Sequence, residues 1–167
     1  MKIHAIVIHY TATYPDQDVT AAMVRDWHLA RNFRDIGYHY LIRRDGTVER
    51  GRPEDQAGAH VAGHNANTLG VAWAGGLERA TGPNVGVWNP TPAQEDAMGR
   101  LIGELLERHP GACVLGHRDL AATQCPGGDA ASWWAAWQAR QRPTPAGFLA
   151  ALLRLFRRTC DADAIGS

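Results

Sequence analysis

Two apolar runs, the first of them β-branched, that each close on a histidine constrain this chain more than any other feature. Ile6-Val7-Ile8-His9 lies near the start, and Ala112-Cys113-Val114-Leu115, followed by Gly116-His117, lies far along the sequence. Runs of this make-up favour strands, and two adjacent strand ends can aim both imidazoles at one point. Eight residues beyond His117 comes Cys125, fixed in a turn by Pro126, Gly127 and Gly128. Imidazole and thiolate both suit Zn²⁺. Three protein ligands leave one position open, the arrangement of a catalytic rather than a structural zinc site. His9, His117 and Cys125 are therefore the expected metal ligands, and Zn²⁺ the expected cofactor.

The rest of the chain reads as scaffold in which strands and helices alternate. Ile3 to His9 is a strand buried on both faces, and Tyr10 to Asp18 a loop. From Thr20 to Arg31 the positions Ala21, Val24, Trp27, His28 and Ala30 fall at helical spacing, with Asp18 or Thr20 available as cap. Gly37 to Glu49 reads as a hairpin in which Asp45-Gly46 favours a tight primed turn. Residues 51 to 68 carry His60 and His64 without apolar periodicity and are expected as a long surface segment. Leu69 to Trp73 is a further strand, ended by Gly75-Gly76. Thr91-Pro92-Ala93-Gln94-Glu95 opens a helix with Thr91 at the N-cap and Pro92 at the first helical position. That helix runs to about Arg108 and stops at Pro110-Gly111. Asp129 or Ser132 begins another, which holds Trp133, Trp134 and Trp137. The pattern predicts an α/β fold, a mixed central β-sheet flanked by α-helices in a single domain.

Composition narrows the partners. With 17 basic and 17 acidic residues the formal net charge is +0, so no global field draws nucleic acid, which is not an expected partner. Cys113, Cys125 and Cys160 are odd in number and widely spaced, unlike a disulfide framework, so a reducing compartment is expected and Cys113 reads as a buried small hydrophobe. The apolar run at the N-terminus is too short for a signal-peptide core, and no stretch approaches the roughly 20 apolar residues of a membrane span.

Five blocks in order carry a family resemblance that runs from about Ile6 to Trp137. They are Ile6-Val7-Ile8-His9-Tyr10-Thr11-Ala12-Thr13; Gly37-Tyr38-His39-Tyr40-Leu41-Ile42 with Asp45-Gly46; Gly58-Ala59-His60 with Gly63 and Asn65; Thr91-Pro92-Ala93-Gln94; and Gly116-His117-Arg118-Asp119 with Cys125-Pro126-Gly127. On these the chain resembles the zinc-dependent type 2 N-acetylmuramoyl-L-alanine amidases, the group of the small phage lysozyme-type amidases and the peptidoglycan recognition proteins. The resemblance implies hydrolysis of the amide between N-acetylmuramic acid and L-alanine of peptidoglycan, with His9, His117 and Cys125 on the family's metal positions. It places Tyr38 where phage members carry an active-site tyrosine. Thr123 falls where phage lysozymes have lysine and amidase-active recognition proteins can have threonine, so a hydroxyl without a positive charge faces the oxyanion. His60 and Asn65 match a segment beside the cleft, which implies substrate contact. His4, His28, His39, His64 and His109 receive no metal role, and the tryptophans after Ser132 read as packing.

The family also contains modules that bind peptidoglycan without cutting it, and these usually lack the metal cysteine that is present here as Cys125. Some phage members restrain a phage RNA polymerase as well, and no surface in this sequence marks that role. The expected context is a phage or prophage endolysin, a monomer that gathers in the host cytoplasm without a signal peptide and acts on the wall after release. A cytoplasmic muropeptide-recycling amidase is the alternative. Residues 1–140 are expected to form the catalytic domain and 141–147 a Pro-rich linker. Residues 148–167 are expected to form an amphipathic helix and tail, with Phe148, Leu149, Leu152, Leu153, Leu155 and Phe156 opposite Arg154, Arg157 and Arg158. Such a helix either docks on the domain or contacts a membrane interface.

Overall fold

The structure is a computed structural model that describes residues 2–141. Of the linker expected over 141–147 only Gln141 is described, as the last residue of a helix, and the amphipathic helix expected over 148–167 lies outside these residues. The order of elements is β1 (Ala5–Tyr10), α1 (Ala21–Leu29), β2 (Tyr40–Ile42), β3 (Val48–Arg50), β4 (Thr68–Trp73), α2 (Pro92–Arg108), β5 (Cys113–Gly116) and α3 (Ala130–Gln141). They build the mixed sheet flanked by helices that the sequence pattern predicts, with strand order β3-β2-β4-β1-β5. Within this sheet of the described residues β2–β3 is antiparallel, and β2–β4, β4–β1 and β1–β5 are parallel.

The interior position of β1, between β4 and β5, explains its near-continuous apolar run, since a parallel strand covered on both faces has no polar side to show. Alternation sorts its side chains. Ile6 and Ile8 join Leu69, Val71 and Trp73 in the large core against Met98, Leu101, Ile102 and Leu105 of α2 and Trp133 of α3. Ala5 and Val7 face the other way, with Val61 and Leu115, and Val24 of α1 packs with Leu41 and Ala72. His9 shares the parity of Ala5 and Val7.

Four local readings of the sequence need correction. On α1, Val24 and His28 are buried, whereas Trp27 is 38% exposed. His28 tolerates burial because its Nδ1 accepts from the Gly37 N–H at 2.8 Å. Asp45-Gly46 does not form a two-residue primed turn: Gly46 N donates to Arg43 O and Arg43 N to Thr47 O, leaving a three-residue loop with Gly46 at φ +88°. The segment from 51 to 68 is not wholly on the surface, since Gly58, His60 and Val61 turn inward and Thr68 is buried in β4. Cys113 is buried as expected but is disulfide-bonded rather than a plain small hydrophobe.

Helix α2 starts as its sequence predicts. Thr91 Oγ1 accepts from Gln94 N at 3.1 Å and donates to Arg44 O at 2.8 Å, while Gln94 Oε1 accepts from Thr91 N at 3.0 Å. The buried Gln94 amide also donates to Ile42 O and Ala74 O, so the cap clamps the helix to β2 and β4. Thr91→Ala is expected to cost about 1–2 kcal/mol, seen as a lower denaturant midpoint at unchanged slope. A midpoint equal to that of the parent protein would show the cap to be idle.

Candidate active site

Register places the first two histidines side by side. β1 and β5 run parallel with Ile8 opposite Gly116, so His9 and His117 leave adjacent strand ends in step, and their ring centroids are 4.7 Å apart. His117 opens a short 3₁₀ turn, His117–Asp119, whose Asp119 carboxylate accepts from Gly116 N at 2.7 Å. Arg118 N then donates to Cys125 O at 2.8 Å, closing the loop that returns Cys125 to the strand end. The Cys125–Pro126 peptide bond is cis.

His9, His117 and Cys125 thus form a group able to hold a metal ion, with one ligand atom from each and all three within 4.8 Å of one another. The His9 atom facing the cysteine is Nδ1, 3.7 Å from Sγ. Burial holds the His9 imidazole well below its ordinary range, helped by His60 and His117, and burial lowers His117 as well. Both rings are therefore neutral, with lone pairs available for coordination. Burial pushes the Cys125 thiol up to about 12, while the Tyr10 N–H at 3.4 Å from Sγ favours the thiolate. A buried thiolate beside neutral imidazoles needs a cation, and the donor set fits a zinc ion with one side open.

Tyr38 lies just before β2, half-buried, with its ring between two imidazoles: 5.1 Å from the His9 centroid and 5.3 Å from that of His28. Burial, and next the charge of Cys125, raise its phenol, so the hydroxyl keeps its proton at neutral pH. Thr123 Oγ1 accepts from Cys125 N at 3.2 Å, which leaves its proton free to donate. His39 turns away, with Nδ1 accepting from Gly70 N and Nε2 facing Gln56 O.

His60 and Asn65 occupy places that the sequence does not reveal. His60 is 8% exposed and sits beneath His9, its Nδ1 3.0 Å from His9 Nε2. Asn65 Oδ1 accepts from the N–H groups of His60 and Val61 at 2.7 and 2.9 Å, bracing the loop from within. One signal for this existed. Gly70 interrupts a fully buried strand, and a Cβ there would lie 2.7 Å from the His60 ring. The tryptophans of α3 pack: Trp133 contacts Trp88 at 5.6 Å, and Trp134 stacks on Trp137 at 5.3 Å.

An α/β sheet that gathers two imidazoles, a thiol, a phenol and a hydroxyl at one strand end has the equipment of a hydrolytic enzyme. Residues 1–128 match the family described as N-acetylmuramoyl-L-alanine amidase, and the chain belongs to that family of enzymes. It is 41% identical over 129 residues to the endolysin of Klebsiella phage KP32, covering 77% of this chain and 83% of that protein. It is 30% identical over 135 residues to a peptidoglycan-recognition protein of Drosophila melanogaster, covering 76% of this chain and 70% of that protein. Among solved structures, the N-acetylmuramoyl-L-alanine amidase LysC from Clostridium intestinale URNW aligns with a TM-score of 0.70 at 29% identity, covering 83% of this chain and 87% of that one.

Proposed function

We propose that this protein is a zinc-dependent amidase that hydrolyses the bond between N-acetylmuramic acid and L-alanine in peptidoglycan, and that it serves as a phage or prophage endolysin. The observation that carries the reading is the convergence of His9, His117 and Cys125 on one point. His9, His117 and Cys125 would hold the zinc, which would supply the Lewis acidity that activates water and polarises the scissile carbonyl. The phenol of Tyr38, protonated and fixed between His9 and His28, donates to the attacking oxygen or to the oxyanion that develops from the carbonyl. Thr123 donates its single hydroxyl proton to the same oxyanion, and its neutral hydroxyl provides a weaker field than a lysine would. His60 and Asn65, expected as substrate contacts, serve the site from below.

Residues 1–140 form the catalytic unit in this reading, 141–147 a linker, and 148–167 an appendage whose pattern suits docking or an anionic membrane interface. The enzyme acts as a monomer, made in the host cytoplasm and reaching the wall once the membrane is breached.

Digestion of purified peptidoglycan tests the chemistry. New L-alanine amino groups are expected without new reducing sugar ends, and a chelator should abolish the signal. New reducing ends would identify a glycosidase instead. Intact sacculi should be cut as well as soluble muropeptides; activity on the soluble fragments alone would make this a recycling enzyme.

A further inference from the structure

Below the three proposed metal ligands runs a line of buried polar groups whose direction can be worked out from a backbone carbonyl upward. Thr68 Oγ1 lies 2.7 Å from His64 O, and a carbonyl only accepts, so the Thr68 hydroxyl donates its single proton there. Its lone pair is left for His60 Nε2 at 3.4 Å, which makes Nε2 the protonated nitrogen of His60. His60 Nδ1 must then accept, and the atom facing it is His9 Nε2 at 3.0 Å. His9 consequently carries its proton on Nε2, and its Nδ1 lone pair points toward Cys125 Sγ. The opposite direction fails, because Thr68 has no second proton to give His60.

The surroundings hold this line in place. His9, His60 and Thr68 are 1%, 8% and 0% exposed, so water is not at hand to replace a missing partner. The ring of His60 fits over Gly70 of β4, where a Cβ would lie 2.7 Å away, and Gly58 leaves room on the loop side. Asn65 fixes the backbone from which the ring projects. His39 meets the His60 ring edge-on, with centroids 5.7 Å apart.

We propose that His60 is a positioning residue for His9: it accepts the Nε2 proton of His9, thereby presenting the Nδ1 lone pair to the metal, and is itself oriented by Thr68 and the His64 carbonyl. This rests on the zinc reading given above. Partners of this kind orient a ligating imidazole and raise its basicity, and their loss typically weakens metal binding by about 10- to 100-fold.

The test compares the full-length protein with His60→Ala, His60→Asn and Thr68→Val, each stripped of metal and checked by thermal melting. Zinc affinity is measured by chelator competition, and the protonated nitrogen of His9 is read from nitrogen-15 NMR of the metal-free protein. His60→Ala is expected to lose about 10- to 100-fold in zinc affinity. His60→Asn, whose side-chain carbonyl can stand where Nδ1 stood, should recover most of that loss, and Thr68→Val should fall between. In the parent protein His9 should be protonated on Nε2. Zinc affinity in His60→Ala within twofold of the parent overturns the proposal. So does an equal loss in the alanine and asparagine variants that tracks their thermal stability, which would mark His60 as packing only. Protonation of His9 on Nδ1 in the parent protein also overturns it. A parent protein that binds no zinc would defeat the zinc reading instead, and the NMR result would still decide the direction of the hydrogen bonds.

Discussion

Cys125→Ala is expected to lose bound zinc and amidase activity together. Two neutral imidazoles remain, but the anionic ligand that neutralises half the charge of the dication is gone. Activity should fall by at least ~10³-fold, because the site then has no means of making hydroxide at neutral pH. Zinc content after gel filtration, measured beside peptidoglycan turnover, checks both halves. Thermal melting adds a third reading: zinc that binds only the folded protein stabilises it by mass action, so the parent should melt higher with zinc and the variant should not. The thiol is small, so the metal-free forms should have similar stabilities. A variant that keeps its zinc and its turnover would remove Cys125 from the metal site.

Tyr38→Phe separates the metal from the chemistry around it. The ring is held by His9 and His28 through its faces and edges, so phenylalanine should pack in the same place and leave zinc content unchanged. Only the hydroxyl is lost. Turnover should drop about 10²- to 10³-fold, the usual range for one donor to a developing oxyanion, with little change in KM. The sign of the pH effect follows from the raised phenol. Tyr38 remains protonated below its ordinary value near 10, so neither protein should show an alkaline limb from this group between pH 7 and 10. Near-full turnover in the phenylalanine variant would make Tyr38 a packing residue, and a limb below about pH 10 that vanishes with the hydroxyl would mean that the phenolate matters.

The convergence of His9, His117 and Cys125 was legible because its ingredients are local: an apolar run fixes each strand, the strand end fixes each histidine, and Cys125-Pro126-Gly127 announces its own turn. The helix cap at Thr91 was legible for the same reason, as every partner in its first turn lies within three residues. Strand order was not, since nothing in the sequence tells β1 that its neighbours begin at Thr68 and Cys113. His60 shows the difference most clearly. Its exposure in a polar, glycine-rich loop looked assured, yet the loop folds inward because Gly58 and Gly70 leave a ring-sized space next to His9. Gly70 could have warned of a close approach, though not of which side chain would make it. Trp27 erred the other way: helical spacing offered it to the core, but His28 had the polar partner that burial requires.

The placing of β1 between β4 and β5 also sets a timetable for the growing chain. Its two neighbours lie more than fifty and more than a hundred residues downstream, so β1 waits long after its own synthesis to have both edges paired. Contacts of such long sequence separation close slowly. Until Cys113–Gly116 has left the ribosome, one edge of the most apolar strand stays open to pairing with other chains. A fragment that stops short of Cys125 lacks one of the three converging side chains, so the site at the end of β1 comes into being only when translation has passed residue 125.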